Sequence, residues 1–141
     1  MTPLYTAQAT TNQGGRQGGH AETSDGKLKV DLAYPKEMGG NGDGTNPEQL
    51  VALGYSACFA GAIGAVAKTS KTDITGLTVT CRATIGKEGE AFALAFEIEA
   101  TLPALSQADA EALVAKAHDV CPYSRAFRHT APATATAHGG A

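Results

Sequence analysis

Three thiols, Cys58, Cys81 and Cys121, stand in a chain of 141 residues, and a cysteine is either an inert small hydrophobe or a nucleophile. Cys58 lies in GYSACFAGAIGAV (54–66), which reads as the middle of a buried helix. That is too far from the helix start for the backbone dipole to favour a thiolate, so a reactive Cys58 needs a cation from elsewhere. Arg16 in GGRQGG is the candidate. Glycines on both sides let the backbone approach another element closely, although a solvated loop arginine has the same neighbours. Glu48 is the natural bidentate partner for that guanidinium, or simply a carboxylate favoured in a first helical turn. Cys121 precedes Pro122 at a predicted helix C-terminus, where the dipole disfavours a thiolate, which suits a thiol held in reserve. On these residues alone, a reactive pair and two packed thiols both stay open.

The elements that must position these groups follow from periodicity and punctuation. PLYTAQATT and HAETSDGKLKVDLAYP read as strands, the latter as two strands joined by a two-residue turn at Asp25-Gly26. A helix begins at Asn46, with Pro47 at its first position and Gln49 three residues after the cap, and runs to about Lys71. Leu50, Leu53, Gly54, Ala57, Cys58, Gly61 and Ala65 follow its spacing, and the other positions are also apolar or small, so it is expected to be covered on most sides. Ten residues separate Glu48 from Cys58, about 15 Å of unbroken helix, so one arginine reaches both only if the helix bends or breaks near Gly54 to Ala57. ITGLTVTCRATIG and AFALAFEIEATLP alternate and form a hairpin across KEGE, with Leu77, Val79, Cys81, Ala83 and Ile85 on one face. Cys81 therefore reads as core. A second helix starts at Ser106 with Asp109 in its first turn, carries Ala110, Leu113, Val114, Ala117 and Cys121 on one stripe, and should stop at Pro122. A strand over 129–137 closes the sheet, and the last residues fray. The fold class is α+β, one domain over 1–141, with a mainly antiparallel sheet.

Composition narrows the function classes. The formal net charge is -3, with Lys+Arg 11 against Asp+Glu 14, and no charge run offers a footprint for nucleic acid or anionic lipid. The expected partners are a small molecule or a protein. MTPLYTAQATT has no leader-like pattern, and no run is long and apolar enough to span a bilayer, so a soluble, cytoplasmic protein is expected. The odd cysteine count at wide spacing fits a reducing compartment. His20, His118, His129 and His138 are scattered without ligand spacing, and no metal is expected.

GGNGDGTNPEQLVALGYSACF and VCPYSRAF, together with the N-terminal GGR, closely resemble the organic hydroperoxide resistance branch of the OsmC-like family over nearly the whole chain. VCPYS is the more specific motif. The resemblance implies an intertwined homodimer that reduces organic hydroperoxides, with Cys58 as the peroxidatic thiol, Cys121 as the resolving thiol, and Arg16 with Glu48 as the activating pair. It further implies a Cys58–Cys121 disulfide reopened by dihydrolipoamide on a lipoyl protein, with no bound cofactor. Cys81 has no role in that scheme. A preference for organic peroxides would need an apolar wall near Cys58, for which Phe59, Tyr123, Phe127, Leu32, Met38 and Tyr34 are candidates. A peroxide-sensing switch or a small-ligand binding protein is the alternative, separated from the enzyme by turnover with a dithiol.

Overall fold

Alternating, β-branched segments open the chain as a small antiparallel sheet. In the computed structural model, which describes residues 1–141, strand β1 (Ala9–Asn12) pairs with β2 (His20–Thr23), and β2 with β3 (Lys29–Asp31). These strands belong to the first of two compact units, Met1–Leu50 and Val51–Ala141. The connection at Asp25-Gly26 is longer than the expected two residues, because Thr23 and Leu28 close it through a backbone hydrogen bond of 3.0 Å. Asp25 organises that loop by accepting from the Thr23 hydroxyl at 2.7 Å and the Lys27 N–H at 3.1 Å. Arg16 sits in a single 3-10 turn, Gly15–Gln17. Gly18 follows with φ of 110°, and a Cβ at Gly19 would lie 2.5 Å from the Asn12 carbonyl oxygen, so the glycines after Arg16 fold the turn back onto β1.

Helix α1 (Pro47–Ser70) starts as its punctuation dictates. Asn46 Oδ1 accepts from the Gln49 N–H at 2.9 Å, and Pro47 occupies the first turn, where its missing donor costs nothing. Gln49 does not reach back to complete a capping box; its Oε1 accepts from the Thr45 hydroxyl at 2.7 Å. The helix runs without interruption through Gly54–Ala57, so the expected break is absent. The glycine has another use: a Cβ at Gly54 would lie 2.9 Å from the Tyr123 hydroxyl and 3.3 Å from its ring.

The face of α1 that packs is also not the expected stripe. Only Tyr55, Phe59, Ala62, Ile63 and Ala67 are buried, whereas Leu53 is 65% exposed and Ala57, Gly61 and Ala65 are exposed. A helix apolar on all sides contains no spacing signal that could choose its inward face. For the same reason α1 is, by length and composition, apolar enough to cross a membrane, with a mean hydropathy of 1.8 over its most apolar stretch. The expectation that no segment reaches that threshold is overturned.

The second unit is a three-stranded sheet with helices. Strands β4 (Thr78–Glu88) and β5 (Ala91–Leu102) pair antiparallel from Thr78↔Thr101 to Glu88↔Ala91, so only Gly89-Glu90 form the turn, with Gly89 at φ of 63°. Along β4, Val79, Cys81, Ala83 and Ile85 are half-buried while their neighbours are exposed, the alternation read from sequence. Helix α2 (Gln107–Val120) begins at Ser106, whose hydroxyl accepts from the Asp109 N–H, and buries Ala110, Leu113, Val114 and Ala117. Pro122 does end it, and also starts a further helix that the sequence reading lacked, α3 (Pro122–Phe127), with Cys121 capping both. Strand β6 (Ala133–Gly139) runs parallel to β5, an orientation that the long α2–α3 crossover permits. The C-terminal tail is tied rather than frayed: Gly140 and Ala141 donate to the Leu105 carbonyl at 2.9 and 2.8 Å. The core collects Tyr55, Phe59, Ile63, Phe96, Ile98, Leu102, Leu113, Val114 and Cys121.

Candidate active site

Within the first unit, the glycine-flanked arginine and the first-turn carboxylate find each other. Arg16 Nη2 donates to Glu48 Oε1 at 2.7 Å and Nη1 to Oε2 at 3.4 Å. This two-point arrangement is the one a planar guanidinium makes with a carboxylate. Arg16 and Glu48 are 26% and 12% exposed, shielded enough for the pair to hold its geometry better than a surface ion pair. The guanidinium also lies over the Tyr34 ring, 5.9 Å from its centroid, at the outer range of a cation–π contact. A cavity of about 720 Å³ opens beside this group, lined by Arg16, Asp31, Leu32, Tyr34 and Asp43 among others.

Within the second unit, the two helix cysteines come together across 63 positions of sequence. Cys121 Sγ lies 3.6 Å from Cys58 Sγ, and both are free thiols. Cys121 is fully buried and Cys58 is half-buried. The two sulfurs are in contact, and a disulfide would bring them to about 2.05 Å. Burial pushes the Cys58 thiol above its ordinary range; the Tyr123 backbone N–H acts in the opposite sense, and the neighbouring Cys121 thiol adds to the rise. Desolvation of the charged form outweighs a single N–H donor.

The aromatic candidates divide. Phe59 is fully buried and packs edge-on to Tyr55 at 6.5 Å, a core position rather than an open wall. Tyr123 and Phe127, both half-buried, stack at 5.7 Å with planes 8° apart on α3, where the Tyr123 backbone N–H also reaches Cys58. Met38 is 38% exposed and Leu32 is buried, both in the first unit with Tyr34. Cys81 packs against the core from β4, and burial raises its thiol too.

Two residues that the sequence reading passed over stand at the centre of this region. Tyr55 is fully buried, with Phe96, Tyr123 and Phe127 ring centroids 5.6, 5.7 and 5.6 Å away. Its hydroxyl meets that of Ser124, also fully buried, at 2.9 Å. A tyrosine within an otherwise largely apolar stretch of helix was the available signal, because a buried tyrosine needs a partner for its hydroxyl.

The profile of the OsmC-like protein family matches residues 40–136, a span that contains Glu48, Cys58 and Cys121. An organic hydroperoxide resistance protein of Xanthomonas axonopodis is 45% identical over 135 residues, 94% of either chain. Among solved structures, an organic hydroperoxide resistance protein from Legionella pneumophila superposes with a TM-score of 0.91 at 44% identity, over 97% of this chain and 99% of the other. One from Vibrio cholerae, with captopril in one of its active sites, gives 0.90 at 43% identity, over 97% and 94%. Agreement in sequence and fold over nearly the full length places this chain in the OsmC-like family, among the organic hydroperoxide resistance proteins.

Proposed function

We propose that this protein is a thiol peroxidase that reduces organic hydroperoxides to alcohols. The observation that carries the reading is the Cys58–Cys121 pair, two reduced sulfurs 3.6 Å apart with one of them fully buried. The relatives' shared name, organic hydroperoxide resistance protein, supplies the substrate class. In the first step the Cys58 thiolate attacks the outer peroxide oxygen; the O–O bond breaks, Cys58 becomes a sulfenic acid, and the alkoxide takes a proton to leave as the alcohol. In the second, Cys121 sulfur attacks the sulfenic sulfur, an S–S bond replaces S–O, and water leaves with the Cys121 proton. A dithiol then exchanges with the disulfide, returning both thiols and carrying away the two electrons as its own disulfide.

Because burial raises the Cys58 thiol, the reading requires a cation to favour its thiolate, and Arg16, held by Glu48, is assigned that part. The same guanidinium would donate to the peroxide oxygens as charge develops on the leaving alkoxide. Tyr123 and Phe127 would favour an alkyl group, each buried methylene contributing about 0.8 kcal/mol that hydrogen peroxide lacks. Dihydrolipoamide on a lipoyl protein is the proposed reductant, acting in the cytoplasm with no bound cofactor. A homodimer is the proposed assembly, supported by the uncovered apolar face of α1 at Leu53, Ala57, Gly61 and Ala65.

Steady-state turnover of tert-butyl and cumene hydroperoxides with dihydrolipoamide, against hydrogen peroxide, tests the reading. Many turnovers and faster reaction with the alkyl substrates are expected. Consumption of a single equivalent, with the disulfide persisting in excess dithiol, would make the pair a switch and defeat it.

A further inference from the structure

Tyr55 and Ser124 each stand one helical turn from a cysteine. Tyr55 precedes Cys58 by three positions on α1, and Ser124 follows Cys121 by three at the start of α3, so each lies on the same face as its cysteine. Their 2.9 Å hydrogen bond therefore runs alongside the 3.6 Å contact between the sulfurs, linking the same two elements. Helix α3 is only six residues long, too short to be stable unaided, so its placement depends on what it packs against. Ser124 is its only buried residue, and the Arg125 N–H donates to the Cys121 carbonyl at 3.0 Å, joining the cysteine to that turn. On the other side, the aromatic rings around Tyr55 fix its direction, and burial keeps its phenol protonated.

We propose that Tyr55 and Ser124 are a positioning pair for the second step of the reaction: their hydrogen bond holds the α3 turn against α1 so that Cys121 is in reach of oxidised Cys58. The proposal rests on the peroxidase reading. Resolution converts Cys58–SOH and Cys121–SH into the disulfide and water, and demands that the sulfurs close from 3.6 Å to about 2.05 Å. Oxidation of Cys58 by peroxide makes no such demand on Cys121. The pair therefore acts on one step and not on the other.

The test compares the reduced parent protein with Y55F, S124A and the double variant Y55F/S124A after mixing with tert-butyl hydroperoxide. Acid-quenched mass spectrometry gives the rate at which the Cys58 thiol is lost, and trapping with dimedone gives the rate at which its sulfenic acid passes to disulfide. The first rate is expected to stay within about twofold of the parent in all three variants, and the second to fall on the order of fivefold, equally in singles and double, since either change removes the same bond. Thermal midpoints separate positioning from stability. Each single variant leaves one buried hydroxyl unpaired and the double leaves none, so the double should melt above at least one single and still resolve slowly. A parent-like second rate in the variants overturns the proposal, and so does a parallel fall of both rates. If the parent protein's Cys58 is never oxidised, the peroxidase reading itself fails, a result distinct from either of these.

Discussion

The Cys121 sulfur stands 3.6 Å from the Cys58 sulfur although neither is bonded to the other, and of the two only Cys121 is fully buried. In the proposed reading a buried second thiol is shielded from direct oxidation and waits for the oxidised Cys58, so the two cysteines take different steps, and mutation should separate them. Cys58→Ser is expected to abolish hydroperoxide consumption. Cys121→Ser should retain the first step and accumulate a Cys58 sulfenic acid, read as a gain of one oxygen or a dimedone adduct. Equal loss of the first step in both variants would contradict this division.

In the proposed reading, Arg16 held by Glu48 sets the pH dependence. Burial raises the Cys58 thiol, so without an added cation Cys58 is protonated at neutral pH and its reactivity climbs only in the alkaline range. Arg16→Ala should therefore slow peroxide consumption at pH 7 and move the pH–rate profile to higher pH, about tenfold in thiolate for each unit of displacement. Glu48→Gln should act in the same direction and less strongly, because a neutral amide can still accept from the guanidinium. A parent rate at pH 7 in Arg16→Ala would remove Arg16 from the role of activating cation.

Gly54 is expected to be intolerant of even one methyl group. Alanine would gain about 1 kcal/mol of helix propensity. Its Cβ, however, would stand 2.9 Å from the hydroxyl of Tyr123, whose ring is packed between Tyr55 and Phe127. Overpacking of this kind costs about 1–3 kcal/mol, so a net loss on the order of 1 kcal/mol is expected. Thermal denaturation should register it as a fall of roughly 3 °C. An unchanged or raised midpoint would mean that the Tyr123 ring moves aside freely.

His118 makes stability depend on mild acid. Burial first, and then Arg128, lower its pKa, while Asp119 acts to raise it. Its Nδ1 is buried without a hydrogen-bond partner. The folded protein therefore binds this proton less readily than the unfolded chain, in which histidine titrates near about 6.5. Stability from this group is complete above that pH and is lost as pH falls below it, since the unfolded state then takes up the extra proton. Denaturant midpoints should decline between about pH 7 and 5, and His118→Gln should flatten that part of the curve. An identical decline in the variant would assign the acid sensitivity to other groups.

The amino-acid sequence determined those features that depend on near neighbours. Asn46 with Pro47, and Ser106 with Asp109, start helices wherever they occur, because a cap satisfies backbone donors within one turn. The α2 stripe from Ala110 to Cys121 was legible because its opposite face is polar, and the β4–β5 hairpin because its faces alternate. Arg16, Glu48, Cys58 and Cys121 were singled out by residue type and setting. Only the tertiary structure decided what depends on distant residues. Helix α1 is apolar all round, so Tyr55 and Phe59, not Leu53 and Ala57, face inward by the shape of the core alone. Helix α3 is too short to announce itself, and the parallel pairing of β6 depends on where that crossover lands. The upward direction of the Cys58 thiol is likewise a property of desolvation, which no local pattern records. Spacing along a chain fixes contacts over a few residues; the meetings of Cys58 with Cys121 and of Tyr55 with Ser124, across 63 and 69 positions, exist only once the helices have packed.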